Sequence, residues 1–222
     1  MPSSALDPLA SRAPRRHPSQ ARSVVTVNAI FEACIQVLLK DGVQRLTTTR
    51  VAERAGVSVG TLYQYYPHKQ ALLHAVLARH LDGIVVAVET AAVQAHGQPL
   101  APMVEAVVHA FVQAKTARPD EARALYVVAA ELDCAGLVRQ AGARAGEALA
   151  AMLATAADAT FNDLPVAAYM FAAAMTGPTK GILEGQAPAE LMPMLHRQLV
   201  SLCLGYLERE ARDAAVSARA AG

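Results

Sequence analysis

The stretch LTTTRVAERAGVSVGTLYQYYPHKQALLHAVL, residues 46–77, decides the architecture of this chain. It predicts a short helix at about Thr48–Ala55, a turn at Gly56-Val57, a second short helix at about Ser58–Tyr66, and a longer helix that begins at Pro67 or His68. Gly56 supplies the left-handed backbone that ends one helix just before the next begins. Ser58 has the side chain of an N-cap, and Pro67 suits the first turn of the third helix.

Two short helices joined by a tight turn form the pattern of a helix-turn-helix. Where the helices cross, Ala52 provides the small residue that a close approach needs, and the apolar neighbours are Val51, Val57 and Leu62. The second helix of such a pair fits the DNA major groove, with side chains near its N-terminus at the base edges. Its outward face carries Val59, Gly60, Thr61, Tyr63, Gln64 and Tyr65.

Polar residues at two helix starts suit the phosphate backbone of DNA. Thr47, Thr48 and Thr49 open the first short helix, where hydroxyls and free backbone N–H groups favour phosphate oxygens. Lys69 lies at the start of the third helix and also suits a phosphate. We therefore expect double-stranded DNA as a partner of this region.

The run TTTRVAERAGVSVGTLYQYYPHKQALL resembles the DNA-binding signature of the TetR family of bacterial repressors, over roughly residues 23–80. The family pattern usually has Phe at the place of Tyr66 and Glu at the place of Gln70, and both departures are mild. The resemblance implies phosphate contacts by Thr61, Tyr65 and Lys69. It also implies that base edges or the adjoining backbone are approached by Ser58, Val59, Gly60, Tyr63 and Gln64. Gln64 is the best candidate for a hydrogen bond to a base.

Toward the N-terminus, apolar residues at three- and four-residue steps predict a helix at about Arg22–Lys40, which Asp41-Gly42 ends. Residues 1–21 are rich in Pro, Ser and Arg and lack periodicity, so we interpret them as a disordered basic arm. Its residues Arg12, Arg15 and Arg16 are candidates for the minor groove. The DNA-binding domain is accordingly expected at residues 22–80.

The charge is distributed unevenly, although the net charge of the chain is only +1. Residues 1–80 contain ten Lys or Arg against four Asp or Glu, whereas residues 81–222 contain ten against fifteen. A basic region joined to an acidic one is typical of a DNA-binding head on a body that does not bind DNA. Ordinary scatter of surface charge is the alternative.

The remaining chain is expected to be helical, which makes the fold all-α. Ala and Leu are abundant, and breakers separate helices predicted at about 68–95, 101–117, 120–133, 136–158, 164–184 and 189–211. A ligand-binding and dimerisation domain then covers residues 81–211, followed by a frayed tail at 212–222. Gly177-Pro178 predicts a kink or break within the helix at 164–184.

Homodimerisation is implied by the family resemblance, in which the last two long helices build a four-helix bundle between subunits. The last predicted helix carries a wide apolar stripe, which is consistent with this role. Leu195, Leu199, Leu202, Cys203 and Tyr206 of that stripe are the candidate interface residues. The alternative is that the stripe packs only inside its own subunit.

A small-molecule effector is expected in the larger domain. Candidate pocket residues are polar or adaptable side chains on apolar helices, namely His109, Tyr126, Glu131, Asp133, Cys134, Met152, Tyr169, Met170, Met175 and Thr176. Each of them alone is more often an ordinary core or surface residue. Their composition favours a mostly apolar ligand. We expect no cofactor and no metal, because His and Cys lack metal-ligand spacing.

Other classes of protein fit the sequence less well. Gly56 to Gly60 match the G-x-S-x-G pattern of a serine hydrolase, but the preceding residues indicate a helix and not the required strand. No other catalytic cluster is present, so we expect no enzyme. The apolar run Leu164 to Met175 is too short to cross a membrane, and three scattered cysteines fit a reducing cytoplasm. A helix-turn-helix protein with a non-sensory body, such as an activator or architectural protein, remains the main alternative.

Overall fold

All regular elements are helices within residues 18–132 and 134–220, which the computed structural model describes. The first four are α1 (Pro18–Arg45), α2 (Thr48–Ala55), α3 (Val59–Tyr65) and α4 (Lys69–Gln94). They are followed by α5 (Leu100–Thr116), α6 (Pro119–Glu131), α7 (Ala135–Leu153), α8 (Leu164–Leu183), a 3₁₀ segment (Ala189–Met194) and α9 (Leu195–Ala220). The all-α prediction is confirmed. Of the predicted arm at residues 1–21, residues 1–17 lie outside the described residues, and the last four are helical, as the first residues of α1.

Most helix ends lie where local sequence signals place them. Gly42, with φ of 75°, interrupts α1 at the predicted break, although one more helical turn follows it to Arg45. α1 begins at Pro18, earlier than the expected Arg22. At the other end of the chain, α9 continues to Ala220 instead of ending near residue 211, because no Gly or Pro interrupts residues 206–220.

The predicted end of α7 near residue 158 is wrong. The helix ends at Leu153, since the residues after it fold back onto the turn between α4 and α5. The hydroxyl of Thr155 accepts a hydrogen bond from the backbone N–H of Gly97 (2.9 Å), and the carboxylate of Asp158 accepts one from Leu100 (2.7 Å). Long-range side-chain bonds of this kind leave no periodic signal in the sequence.

No break occurs in α8 at Gly177-Pro178, where a kink or break was predicted. Pro178 lies inside the continuous helix Leu164–Leu183. Proline has no N–H to donate, but the buried hydroxyl of Thr179 donates to the carbonyl of Met175 (2.7 Å) in the same turn. Pro178 itself is exposed on the helix surface.

Two apolar clusters divide the protein into a head and a body. The head cluster draws on α1–α3 and on Leu72, Leu73 and Val76 from the first half of α4. The body cluster draws on the second half of α4 and on α5, α7, α8 and α9. α6 also reaches into the head, where Leu125 and Val128 are buried. The head is therefore joined to the body through α4 and α6.

Two helical segments, Arg22–Arg45 and Lys69–Gln94, have the length and apolar composition of membrane-spanning helices. Neither coincides with the run at 164–175 that the sequence singled out. Both contribute buried side chains to the clusters described above, and the core helix of a water-soluble protein passes the same test of length and hydropathy.

Candidate DNA-binding and effector sites

The helices α2 and α3 pack in the arrangement of a helix-turn-helix. Val51, Ala52 and Leu62 have no exposed surface, so the pair is joined by its apolar inner faces. Gly56 adopts φ of 67° and ψ of 29°, a left-handed conformation that residues with a Cβ rarely adopt. Its N–H and that of Val57 bond back to carbonyls of α2, which closes the turn.

The outward face of α3 is led by two exposed side chains, Tyr63 and Gln64, with Gly60 beside them. Val59 and Tyr65 are half-buried against the head cluster, so they present less surface than the sequence suggested. Gln64 thus offers a free amide on this face, and Tyr63, which is 47% exposed, adds an aromatic ring.

Hydroxyl groups organise the start of α3. Ser58 is the N-cap, and its Oγ accepts a hydrogen bond from the backbone N–H of Thr61 at 3.0 Å. The two hydroxyls also lie 2.8 Å apart, so each fixes the other. Both remain at the surface at the same end of α3, because Ser58 is exposed and Thr61 is half-buried.

The three threonines before and within α2 have different surroundings. Thr47 caps the helix by accepting from the N–H of Arg50 (3.3 Å). Thr48 is buried, and its hydroxyl is hydrogen-bonded to the Tyr63 hydroxyl at 3.1 Å. Thr49 is exposed. Thr48 therefore positions Tyr63, while Thr47 and Thr49 are the threonines at the surface.

Lys69 begins α4, directly after the N-cap His68. Its ammonium donates a hydrogen bond to the carbonyl of Val43 (2.5 Å), in the turn that leads to α2. The side chain is half-buried, and its charge is held at the last turn of α1, five residues before α2 begins. A phosphate that approaches α2 would meet this charge.

The predicted effector residues are not gathered around one cavity. Tyr169, Met170 and Thr176 lie on the exposed face of α8. Met152 and Met175 are both buried in the body cluster. Residue type alone predicted them, and it carries no information about which helix faces meet.

The other candidates are equally dispersed. Cys134 is buried in the head cluster, and Glu131 is exposed at the end of α6, where it accepts from the side-chain amide of Gln44 (3.0 Å). His109 is exposed and lines a cavity of about 360 Å³ between α4 and α5. Its ring centre lies 5.6 Å from that of His196. Asp133 lies outside the described residues.

A cavity of about 310 Å³, which we call the junction cavity, lies where head and body meet. Apolar side chains from α1, α4 and α5 form part of its wall, and charged side chains form the rest. Its polar lining residues are Glu32, Arg79, His80, Arg118 and Glu121, none of which was singled out in the sequence. Arg118 donates to both carboxylate oxygens of Glu32, at 2.9 and 3.4 Å, and its Nη1 lies 2.7 Å from Glu121.

His80 is neutral at physiological pH. Its Nδ1 lies 3.7 Å from Glu121, which would be an ion pair only if the imidazole were protonated. Burial lowers the pKa of His80 to about 4, and the positive charges of Lys115 and Arg118 act in the same direction. Burial outweighs the attraction of the carboxylate, so the cavity presents a neutral imidazole.

A polar cluster that the sequence did not reveal as a unit joins α5, α6 and α8. Lys115 of α5 is only 7% exposed and donates a hydrogen bond to the hydroxyl of Tyr126 at 3.0 Å. Lys180 of α8 lies on the same aromatic ring, 5.8 Å from its centre. Of these three, only Tyr126 was a predicted effector residue. The signal for this cluster in the sequence was Lys115, a lysine at a core-facing position of an apolar helix.

The residues of the α9 stripe differ in burial. Leu195, Leu199 and Cys203 are at most 3% exposed and belong to the body cluster, so these three pack inside their own subunit, as the alternative to a dimer interface has it. Helical spacing shows that they share a face, but not that α5 of the same subunit covers it. Leu202 is 51% exposed, and Tyr206 is half-buried.

Exposed apolar side chains occur on both α8 and α9, two helices that pack against each other. On α8 they include Val166, Tyr169 and Met170, which are 43–69% exposed. On α9 they include Leu202, with the small exposed residues Ser201 and Gly205 close to it in sequence. We call these residues the α8–α9 face.

Comparison with protein families gives matches to both parts of the chain. Residues 30–76 match the model for bacterial regulatory proteins of the tetR family, and residues 99–207 match that for the tetracyclin repressor-like C-terminal domain. These two segments correspond to the head and the body.

Sequence relatives match over a limited part of the chain. The HTH-type transcriptional regulator YvkB of Bacillus subtilis (strain 168) is 38% identical over 55 residues, or 25% of this chain and 29% of that protein. The HTH-type transcriptional repressor KstR of Mycolicibacterium smegmatis is 40% identical over 70 residues, or 32% and 34%. The match thus spans about a third of the length of these relatives.

Solved structures are similar to a larger share of this chain than the sequence relatives are. A TetR family transcription regulator from Marinobacter aquaeolei VT8 has a TM-score of 0.60 at 19% identity, with 82% of this chain and 97% of that chain covered. A regulatory protein of the tetR family from Rhodococcus RHA1 has a TM-score of 0.62 at 18% identity, with 82% and 96% covered. At these identities the likeness establishes the shared fold.

Proposed function

Since this chain belongs to the TetR family of bacterial transcriptional regulators, we propose that it is a homodimeric repressor of the cytoplasm. It binds a pseudo-palindromic DNA operator and leaves it when a small, mostly apolar molecule binds. The observation that carries this proposal is the exposed face of α3, where Gln64 and Tyr63 project from a firmly capped helix-turn-helix.

DNA recognition in this proposal divides between two sets of residues. Gln64 donates to and accepts from a base edge in the major groove, as amide side chains do. Thr47, Thr49, Thr61 and Lys69 contact phosphates and fix the position of α3 in the groove. Val59, Gly60 and Tyr65 allow close approach and apolar contact. Thr48 acts indirectly, because its hydroxyl is hydrogen-bonded to that of Tyr63 and holds the tyrosine ring in place.

Dimerisation in this proposal uses the α8–α9 face. An exposed apolar surface of this kind is unfavourable in a monomer and favourable once a second copy covers it. Two copies related by a two-fold axis would present two α3 helices to successive major grooves about 34 Å apart. The operator is then a pseudo-palindrome because the protein is symmetric.

The junction cavity supports effector binding. It touches α1 of the head and α5 and α6 of the body, so its occupant contacts both sides of the junction. A ligand shifts an equilibrium only if it binds one arrangement better than the other. We propose that the effector favours a head spacing that no longer matches two major grooves.

The test is fluorescence anisotropy with labelled DNA from the region beside the gene of this protein. We expect sequence-specific binding, and release by at least one member of a panel of hydrophobic small molecules that also raises the melting temperature. A compound that raises the melting temperature without changing operator affinity would not be an effector. If no member of a broad panel changed either quantity, the protein would be a DNA-binding protein with a non-sensory body.

A further inference from the structure

Lys115 is a charged residue that DNA binding and dimerisation leave without a role. It lies near the end of α5, one turn after the buried Phe111 and Val112. Among the described residues, the hydrogen-bond partner of its ammonium is the neutral hydroxyl of Tyr126, and no carboxylate oxygen lies within 4.0 Å. A buried ammonium with one neutral partner is unfavourable. A bound anion would therefore stabilise the charge of Lys115.

A second ammonium faces the same phenol ring. Lys115 lies 5.0 Å and Lys180 lies 5.8 Å from the ring centre of Tyr126. The acid that accompanies Lys180 is Glu184, at 3.8 Å in the next turn of α8. The cluster therefore has two positive charges against one negative charge, and one monovalent anion would balance it.

The cluster is rich in hydrogen-bond donors. Because Lys115 donates into the Tyr126 oxygen, the phenol hydrogen is directed elsewhere. Burial, followed by the charge of Glu184, raises the pKa of Tyr126 to about 12, so that the hydrogen is retained. Burial, followed by the charge of Lys180, lowers the pKa of Lys115 to about 8, and the ammonium is still protonated at neutral pH.

The cluster is accessible from solvent, and it lies next to residues of the junction cavity and of the head cluster. The side chain of Lys180 is 52% exposed, which gives access from solvent. Ala114 directly precedes Lys115 and Arg118 follows it by three residues, and both line the junction cavity. On α6, the neighbour of Tyr126 is Leu125, which is buried in the head cluster.

We propose that Lys115, Tyr126 and Lys180 bind the carboxylate of a small organic acid. The two ammonium groups and the phenol hydrogen donate to its oxygens, and its single negative charge balances the cluster. That this acid is also the effector rests on the proposed function, whereas the binding of the carboxylate does not.

The experiment compares three molecules with the same ring and different head groups: benzoate, benzyl alcohol and benzylamine. Each is titrated against the full chain without DNA, by thermal shift and by calorimetry, with inorganic phosphate as a further anion. We expect benzoate to bind and the neutral and cationic counterparts not to. Lys115→Met and Tyr126→Phe should each weaken benzoate binding by about tenfold, the effect of losing one charge-assisted hydrogen bond.

The matched control is Lys40→Met, which removes an exposed lysine of α1 and should leave benzoate binding unchanged. The site is overturned if benzyl alcohol or phosphate binds as well as benzoate, if benzoate does not bind, or if Lys115→Met binds it as tightly as the original protein. Lys115→Met removes a buried charge and should fold, and Tyr126→Phe retains the ring, so two variants test the same site.

Operator release is then measured separately. Benzoate binding that depends on Lys115 but leaves operator affinity unchanged supports the carboxylate site and contradicts its role as the effector site. Release of the operator by a compound that is insensitive to Lys115→Met supports the repressor function and contradicts the effector role of this cluster.

Discussion

Arg118, which precedes α6, donates two hydrogen bonds to Glu32 of α1, at 2.9 and 3.4 Å. The two residues are 86 positions apart and connect body to head. Both side chains are more than half exposed, so this ion pair contributes little to global stability. We expect it to fix the orientation of the head instead.

Replacing Arg118 by Gln should therefore separate stability from DNA binding. The free energy of unfolding should change by less than about 1 kcal/mol, because the pair is exposed. Operator affinity should fall roughly threefold or more, since the heads become less well oriented. Denaturant unfolding and anisotropy measure the two quantities. Arg139→Gln, an exposed arginine of α7, is the control, and equal effects of both variants would exclude an orienting role.

Lys69→Ala should weaken binding to all DNA sequences alike. Its ammonium is bonded to the last turn of α1, which leads to α2, and we place a phosphate there, so its loss should reduce the slope of log K against log salt by about one unit. Titrations at several salt concentrations give the slope, with Lys40→Ala as the control. An unchanged slope would mean that Lys69 serves only to bond the carbonyl of Val43.

Leu202 and Leu199 form a matched pair on α9, because the first is 51% exposed and the second is 1% exposed. Leu202→Glu should yield a folded monomer with poor operator affinity, since it places a charge in the α8–α9 face. Leu199→Glu should instead unfold the body, because it buries an unpaired charge. Light scattering and thermal melting distinguish these results. A Leu202→Glu protein that remains a dimer would show that the subunits meet elsewhere.

Lys115→Met should stabilise the protein at neutral pH. The pKa of Lys115 is about 8 in the folded state against a usual 10.5, so the unfolded chain holds the proton more strongly between these values. The contribution of Lys115 to stability then rises as the pH increases from about 8 to about 10.5, and the charged form costs roughly 3 kcal/mol below pH 8.

Lys115→Met removes this free-energy cost, although the lost hydrogen bond to Tyr126 offsets part of the gain. The variant should also remove the rise in stability above pH 8. Denaturant unfolding at pH 7 and pH 10 measures both effects, with Lys40→Met as the control. A less stable variant with an unchanged pH profile would mean that the Lys115 ammonium is well solvated.

The helix-turn-helix was predictable because its signals are local. Thr47 and Ser58 cap the helices whose N–H groups follow them within three residues, and Gly56 ends α2 through its own backbone. Ala52 and Leu62 pack within the same stretch of chain. A signal that spans thirty residues is visible in one sequence without any knowledge of the rest of the fold.

The effector and dimer residues were much less predictable, because long-range packing decides them. Periodicity assigned Leu199 and Leu202 to one broad stripe, and only the position of α5 buries the first and leaves the second exposed. Tyr126 was selected by type, yet its partners Lys115 and Lys180 come from other helices. The junction cavity likewise depends on how the head meets the body.

The central claim is that the exposed face of α3 reads DNA sequence as part of a symmetric dimer. The most direct measurement is selection of binding sites from random DNA, carried out with the original protein and with Gln64→Ala. The account predicts a pseudo-palindromic motif whose half-sites lie about 34 Å apart, with base preference lost at one position per half-site in the variant. Selection of no motif, or of the same motif by both proteins, would contradict it.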